Sequence, residues 1–395
     1  MKKISLKKLQ HKTAARKLAV VGWLCLGLLL GVALFFAGKN VSPVKALQVG
    51  EAGLSSPIPT LAYYYIWYDV KSWDRAKIDY PLLGHYSSDD RGVMHEQIRL
   101  AKAAGIRGFI VSWKSTDALN RRLGHLINLA EQEDFKLVII YQGLDFDRNP
   151  LPVERIDTDL TLFTQRFAGR KPFDLFNKPV VIWSGTWKFS PEEIARVSAN
   201  HRGDLLLLAS EKNLKGYERL AKLVDGNAYY WSSVNPETYP DYPAKLVAMA
   251  AAVHKNGGLW IPPAAPGFDA RLVGGTTIVD RKDGDTFRQQ ISTALASSPD
   301  ALGIISWNEY SENSQIEPSV TFGKKYLDIL SEVNHLPLPV IGEFDSSEAP
   351  ITAPAVASPY GGIIPEGLLN SRKLAFGVLA TLVISALVLI IRRRH

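Results

Sequence analysis

Apolar runs alternate with amphipathic stretches through the middle of the chain. The apolar runs are short and nearly continuous, which is typical of strands buried on both faces. The stretches between them repeat their apolar positions at helical spacing, as Met94, Ile98 and Ala101 do. This alternation predicts a parallel sheet covered by helices. The eight predicted strands are residues 60–68, 106–113, 136–141, 179–183, 204–209, 227–231, 258–262 and 301–307.

Helix signals follow most of these strands. Asp89 and Asp90 are candidate caps of the first helix, and Gly105 is its candidate stop. Eight strands with intervening helices predict an α/β fold, a closed (β/α)8 TIM barrel, over residues 60–336. A doubly wound open sheet is the alternative, but the chain has no Gly-rich phosphate loop. Further helices are predicted around Leu119, Leu123, Leu126 and Ala130, and at 191–199, 244–254, 286–296 and 324–333.

Two long uncharged runs flank the predicted barrel. Residues 18–37 and 374–391 are each long enough to cross a bilayer as a helix, since about 20 residues span its apolar core. A cleaved signal peptide is the alternative for the first run. Basic tails at 1–17 and 392–395 lie outside the runs and predict that both termini are cytoplasmic. Linkers rich in small residues and Pro, at 38–59 and 337–373, complete the predicted domain organisation.

This organisation predicts a double-pass cell-membrane protein whose barrel lies outside the membrane, with the lipid bilayer as a partner through two helices. The formal net charge of +7 comes from the tails, because the rest of the chain has 36 basic and 39 acidic residues. Nucleic acid is therefore not expected as a partner. The single cysteine, Cys25, lies in the first apolar run and allows no intrachain disulfide. An exported domain without disulfides favours a bacterial surface.

Two carboxylates follow the last predicted strand. Glu309 and Glu312 are three residues apart, directly after an apolar run. A buried charge is usually paired or used, and paired carboxylates are the usual equipment of glycoside hydrolysis. A solvated loop is the alternative. The spacing of the eight histidines predicts no metal site, and no cofactor is expected.

Other predicted strand ends are rich in aromatic residues. The carboxyl ends of barrel strands carry the functional residues of this fold class. Aromatic rings and hydrogen-bonding groups suit sugars, which have apolar faces and hydroxyl edges. Core packing is the alternative for any single aromatic residue. The candidate residues at these ends are Tyr68, Trp113, Tyr141, Gln142, Tyr230, Trp231 and Asn308.

Six ordered motifs resemble glycoside hydrolase family 99, the endo-acting α-mannosidase group. The clearest is Trp307 to Glu317, WNEYSENSQIE, which is similar to the family's FNEWHEGTQIE. Tyr63 to Tyr68 resembles its first-strand YYxWY pattern and adds Tyr64 to the expected sugar contacts. The others are Leu83 to Asp90, the helix and strand that end in Ser112-Trp113, Asp225-Gly226 with Tyr229-Tyr230, and Ile261-Pro262 with Pro266-Gly267-Phe268.

This resemblance implies a retaining glycosidase that uses the sugar's own 2-hydroxyl as nucleophile. Carried over by position, Glu309 would be the base that takes the 2-hydroxyl proton. Glu312 would be the general acid that protonates the leaving oxygen and then the base that activates water. The resemblance also implies Asn308, Trp113, Tyr68 and Tyr230 as contacts of the cleaved sugar. A glycan or polysaccharide is therefore the expected partner.

Several segments depart from the family pattern. The gap between the first two motifs is only 69–82, and the carboxylate-bearing segment after the third strand is replaced by Tyr141 to Asp145. The His and Gly of the last motif are Ser311 and Asn313. The sequence thus predicts the reaction type better than mannose specificity. A non-catalytic glycan-binding protein and a cell-envelope scaffold on the same barrel are the alternatives.

Overall fold

The structure, a computed structural model, describes residues 58–75 and 77–339. Within these residues, no helix combines the length and the apolar character needed to cross a membrane. The predicted membrane spans at 18–37 and 374–391 lie outside the described residues, as do both basic tails and most of both linkers.

Parallel strands form a nearly closed barrel of nine strands, which confirms the predicted fold class. Their order around the barrel is β7-β6-β5-β4-β3-β2-β1-β11-β8. A separate antiparallel hairpin, β9 with β10, follows β8. The strands are β1 Thr60–Tyr65, β2 Ile106–Trp113, β3 Lys136–Gln142, β4 Val180–Ser184, β5 Leu206–Ala209, β6 Gly226–Ala228, β7 Leu259–Ile261, β8 Pro263–Ala264, β9 Phe268–Asp269, β10 Ile278–Val279 and β11 Leu302–Ile304.

The seventh predicted strand closes the barrel in two pieces. β7 pairs with β6, whereas β8 pairs with β11 on the other side. Pro262 separates them because proline has no N–H to donate to a neighbouring strand. Its carbonyl still accepts a hydrogen bond from Gly303 N at 3.0 Å. One stretch of chain therefore joins both ends of the sheet.

Helices pack on the outside of the barrel between the strands. The predicted cap of α1 is correct: the Asp90 side chain accepts a hydrogen bond from Val93 N, and Gly105 after the helix has a φ of +85°. Sequence analysis missed α3 and α5. Pro152 at the start of α3 makes no side-chain cap hydrogen bond, so the usual start signal is absent. The helices are α1 Arg91–Ala103, α2 Asp117–Gln132, α3 Val153–Phe163, α4 Pro191–His201, α5 Leu214–Glu218, α6 Tyr242–Lys255, α7 Asp285–Leu295 and α8 Lys325–Val333.

Strands β1 to β5 bury their two faces in two different clusters. Side chains of the outer cluster, such as Tyr64, Phe109 and Trp183, pack with apolar residues of the helices. Alternate side chains, such as Tyr63 and Tyr65, form the inner cluster inside the barrel. Because side chains of a strand alternate between its faces, consecutive residues of one strand belong to different clusters.

Candidate active site

The loop after β11 carries both predicted carboxylates and is fastened to β1 by Asn308. The Asn308 side chain accepts a hydrogen bond from Tyr65 N at 2.9 Å and donates to Tyr65 O at 3.0 Å. It also donates to the Tyr86 hydroxyl at 3.2 Å. Tyr68 donates from its hydroxyl to Asn308 O at 2.6 Å. The loop is therefore held against the carboxyl end of β1, next to the barrel interior.

Two hydrogen bonds fix the position of Glu309 within this loop. Its backbone N donates to Ser306 Oγ at 2.8 Å, and its carboxylate accepts from Ser311 N at 3.0 Å. Asp269 N of the β9–β10 hairpin donates to Glu312 O at 2.8 Å. The backbone on which both carboxylates sit is thus supported from β11 and from the hairpin, as a preorganised site requires.

The far end of the loop is anchored by a third carboxylate, Glu317, which is buried. It accepts hydrogen bonds from Gln97 Nε2 at 2.6 Å and from the Tyr86 hydroxyl at 2.9 Å. Burial raises the pKa of Glu317 to about 7, although these hydrogen bonds oppose the rise. Because Gln97 lies on α1 and Tyr86 precedes it, Glu317 ties the loop to the outer layer of the barrel.

Glu309 and Glu312 lie in each other's electric field. Burial raises the pKa of Glu309, and the nearby charge of Glu312 raises it further. The Ser311 N–H and the Lys77 ammonium act in the opposite direction. Burial also raises the pKa of Glu312, whereas Arg148 lowers it. Glu309 is buried and Glu312 is half-buried, and of the two carboxyls Glu309 is the one whose protonated form the electrostatics favour more strongly.

Two tyrosines stand beside the pair. The hydroxyls of Tyr65 and Tyr230 are 2.5 Å apart, and the Tyr230 ring centroid lies 4.8 Å from that of Tyr63. Burial raises the pKa of Tyr65, and the charges of Tyr230, Glu309 and Glu312 add to the rise. Burial and then the charge of Glu312 raise the pKa of Tyr230. Both hydroxyls therefore stay protonated and can donate hydrogen bonds beside the carboxylates.

Comparisons with known proteins show similarity to glycoside hydrolases. The model of "Glycosyl hydrolase family 99" matches residues 162–339, which include both carboxylates. The glycoprotein endo-alpha-1,2-mannosidase of Mus musculus is 22% identical over 353 residues, covering 74% of this chain and 75% of the relative. That of Rattus norvegicus is 24% identical over the same shares. Over residues 162–339, the chain is similar to glycosyl hydrolase family 99.

A solved structure has the same fold as this protein. The GH99 endo-alpha-mannosidase from Bacteroides thetaiotaomicron superimposes with a TM-score of 0.62 at 21% sequence identity. The superposition covers 70% of this chain and 96% of that enzyme. A structure described as a glycoside hydrolase-like protein has a TM-score of 0.52 at 16% identity. The barrel is thus shared along almost the whole length of the bacterial enzyme.

Three predicted sugar contacts point away from the barrel interior. Tyr64 donates to Gln97 Oε1 at 2.5 Å, and its ring stacks on Phe109. Trp113 donates from Nε1 to Asn120 on α2 at 3.0 Å, and Tyr141 donates to Asp159 on α3 at 3.0 Å. They occupy the outward positions of β1, β2 and β3, so the structure does not bring these three side chains together with the carboxylates.

Asn308, another predicted sugar contact, is used inside the protein in this structure. Its side chain is fully buried, and both of its polar atoms are used to hold Tyr65 and Tyr86. Tyr68 is buried as well, stacked on Trp73 with ring centroids 4.7 Å apart. Tyr68 therefore supports the loop that carries the carboxylates, through the hydrogen bond from its hydroxyl to Asn308 O.

The remaining predicted contacts lie at the open end of the barrel. Gln142 is half-buried and donates to Ser112 Oγ at 3.0 Å, which places it on the inward row of β3. Tyr230 and Trp231, just after β6, are half-buried too. These three side chains lie at the same end of the barrel as the two carboxylates, and Tyr230 lies in the electric field of both.

Sequence reasoning missed three residues that act on the pair. Tyr65 is the inward neighbour of Tyr64, and only the register of β1 distinguishes them. Lys77 lies in the shortened 69–82 segment, and Arg148 lies in the altered loop after β3. The signal that could have found both cations is their position in segments that depart from the family pattern. Among residues 58–75 and 77–339, no group of three or more His, Cys, Asp and Glu side chains could hold a metal ion.

Proposed function

We propose that this protein is a retaining glycoside hydrolase that cuts α-linked glycans of the α-mannan type or a related type. The observation that carries the proposal is the pair Glu309 and Glu312 at one end of the barrel, the first buried and the second half-buried, each with a raised pKa. Such a pair supplies an acid and a base at the same pH, which glycoside cleavage requires. The mannosidase names of the relatives support the substrate class.

The proposed reaction uses the sugar's own 2-hydroxyl. Glu309 takes the proton of that hydroxyl while its oxygen attacks C1, closing a three-membered ring. The bond from C1 to the leaving oxygen breaks, and Glu312 gives that oxygen its proton. Water then opens the ring at C1 while Glu312 takes a proton from the water and Glu309 returns one to the 2-oxygen. Two displacements at C1 retain the anomeric configuration.

This assignment requires Glu309 to be ionised and Glu312 to be protonated when substrate binds. In the ligand-free site, electrostatics favour the proton on Glu309. A 2-hydroxyl that donates a hydrogen bond to Glu309 favours the ionised form of that carboxyl. A leaving oxygen that accepts from Glu312 favours its protonated form. Substrate contacts of this kind reverse the proton's position without help from another residue.

A leaving-group comparison tests these roles. A 4-nitrophenolate leaving group needs little protonation, so the variant that lacks the general acid should keep much of its first step with an aryl α-glycoside. We expect Glu312→Gln to cleave this substrate far better than an unactivated disaccharide, and Glu309→Gln to fail with both. The opposite pattern would exchange the roles, and NMR of the first product anomer would test retention. Glycan binding by the wild type without any product would instead indicate a non-catalytic binding protein.

We further propose that the barrel is exported and anchored by two membrane helices, with both termini in the cytoplasm. The support is the pair of uncharged runs at 18–37 and 374–391 with basic residues outside them. Protease added to intact cells should degrade the barrel and spare both tails. Mass spectrometry of the mature amino terminus should recover Met1 or its neighbours. A terminus beyond residue 37 would instead mean a cleaved signal peptide.

A further inference from the structure

A cavity beside the candidate active site combines lysines with aromatic rings. Its volume is about 610 Å³, and it lies beyond the carboxyl ends of β5 and β6, against β10. Lys212, Lys245, Tyr229 and Trp231 line it, together with hydroxyl and amide side chains. No Asp or Glu is among the described residues that line it. The cavity therefore offers cations and ring faces without an acid to neutralise them.

Both lysines are held in place by aromatic rings. The Lys212 ammonium lies 4.0 Å from the Trp187 ring centroid and 4.6 Å from that of Trp231. Lys245 lies 4.4 Å from the Tyr229 ring and donates to its hydroxyl at 2.8 Å. Cation–π contacts of this kind position an ammonium without cancelling its charge. The ammonium groups of Lys212 and Lys245 are thus held in defined positions, and both residues line the same cavity.

Other cations add to the positive charge at this end of the barrel. Arg148 and Lys188, on the loops after β3 and β4, are exposed. Burial and then the charge of Arg148 lower the pKa of Lys212, with a further contribution from Lys188 that Glu211 opposes. Glu211 itself is paired with Arg219 at 2.8 Å. Within the described part of the chain, no carboxylate forms an ion pair with Arg148, Lys188 or Lys212. Like charges gathered without counter-ions are stabilised by an anionic ligand.

The cavity is joined to the candidate active site by three elements. Tyr229 and Trp231 line the cavity, whereas Tyr230 between them faces the carboxylates. Arg148 acts on Lys212 and also on Glu312. The β9–β10 hairpin contributes Ile278 to the cavity and donates a backbone hydrogen bond to Glu312 O. A sugar chain bound at the carboxylates therefore has a short route into the cavity.

We propose that this cavity binds an anionic sugar of the glycan, one that carries a carboxylate, phosphate or sulfate group, next to the residue that is cleaved. The aromatic rings stack on its apolar face, and Lys212 and Lys245 bind its anionic group. The position of this sugar within the substrate rests on the proposed glycosidase function, whereas the preference of the cavity for an anion does not.

Ligand-observed NMR titrations of the full-length chain test the proposal. The probes are methyl α-mannoside, methyl α-glucuronide, mannose 6-phosphate and mannose 6-sulfate. At least one anionic probe should bind about tenfold tighter than the neutral mannoside, and added salt should weaken it. Lys212→Gln combined with Lys245→Gln should abolish the difference. The matched controls Lys215→Gln and Lys255→Gln, both exposed lysines on α5 and α6, should preserve it.

Two results would overturn the proposal. One is equal affinity for the neutral probe and all three anionic probes. The other is an anion preference that survives the loss of both lysines. Because binding is measured without turnover, the outcome is separate from that of the glycosidase proposal. If the protein prefers anionic probes but cleaves no glycan, only the glycosidase proposal is contradicted.

Discussion

Tyr64 and Tyr65 are neighbours in β1, yet they belong to different parts of the molecule. Tyr64 faces the helices, where its hydroxyl donates to Gln97 in a fully packed layer. Tyr65 faces the barrel interior, where its hydroxyl meets Tyr230 in the field of Glu309 and Glu312. The same contrast separates Trp113 and Tyr141 from Tyr230. Aromatic residues of the outer layer pack against the helices. In the inner layer, Tyr65 and Tyr230 place their hydroxyls in the electric field of the two carboxylates.

Strand-end carboxylates show the same division. Glu211, after β5, is paired with Arg219, and its charge is compensated. Glu309 is buried with no ion pair among the described residues, and the neighbouring Glu312 raises its pKa further. A protein does not gain stability from two close carboxyls of this kind. The uncompensated pair therefore indicates function, and the compensated residue indicates structure.

The largest expected effect separates these two carboxylates. We expect Glu309→Gln to lower turnover by about 10²–10⁴-fold because it removes the proposed base. Its free energy of unfolding at pH 8 should not fall, since an unfavourably buried acid is replaced by an amide. The control Glu211→Gln should keep turnover and lose about 1–3 kcal/mol of stability, because Arg219 loses its partner. Equal losses of turnover in both variants would contradict the distinction between a functional Glu309 and a structural Glu211.

Asn308 should matter for stability more than any sugar contact. Asn308→Ala leaves the N–H and the carbonyl of Tyr65 without their partners, and each unmet buried group costs about 1–3 kcal/mol. We expect a loss of about 2–5 kcal/mol in urea unfolding. Asn200→Ala, which removes an exposed hydrogen bond on α4, should cost less than about 0.5 kcal/mol. Similar values for the two variants would mean that the loop is not fastened at Asn308.

The two tyrosines of β1 allow the sharpest comparison. Tyr65→Phe should lower turnover by about tenfold, because one hydroxyl beside the carboxylates is lost, with little effect on stability. Tyr64→Phe should keep turnover and cost about 1 kcal/mol, because Gln97 loses a donor. Turnover and unfolding measured on both variants check this. Loss of turnover in Tyr64→Phe alone would reverse the assignment of the two faces.

Glu317 should make stability depend on pH. Its pKa is raised in the folded state to about 7, above the ordinary value for a glutamate of the unfolded chain. Its contribution to stability is therefore complete below about pH 4 and is lost as pH rises through 7. Glu317→Gln should flatten the fall in unfolding free energy between pH 5 and pH 8, measured with urea. If the unfolding free energy of the variant fell with pH as steeply as that of the wild type, the raised pKa of Glu317 would be contradicted.

Arg148 should have the smallest effect, on the pH profile of turnover. Its positive charge lowers the pKa of Glu312. Arg148→Gln should therefore raise that pKa and move the acidic limb of kcat/KM to higher pH. Arg107→Gln, an exposed position on β2, is the control and should leave the limb in place. A shift to lower pH would mean that Arg148 does not act on this carboxyl.

The sequence supports some of this account and could not supply the rest. The apolar runs locate the barrel strands because strands buried on both faces are continuously apolar. For the same reason they do not show which face each side chain occupies, so Tyr64, Trp113 and Tyr141 entered the predicted site in place of Tyr65. The sequence could not show that the Asn308 side chain holds Tyr65 and Tyr86, because an amide suits this role and a sugar contact equally well. Lys77 and Arg148 lie in loops whose paths no periodicity predicts.

The most direct test of the central claim is a paired measurement on the wild type and Glu312→Gln. Isothermal titration calorimetry would measure the binding of α-linked mannan and glucan oligosaccharides, with anionic derivatives included, and product analysis would measure their cleavage. We predict that at least one oligosaccharide is bound by both proteins and cleaved with retention by the wild type alone. Binding without cleavage by the wild type, or equal cleavage by both proteins, would contradict the account.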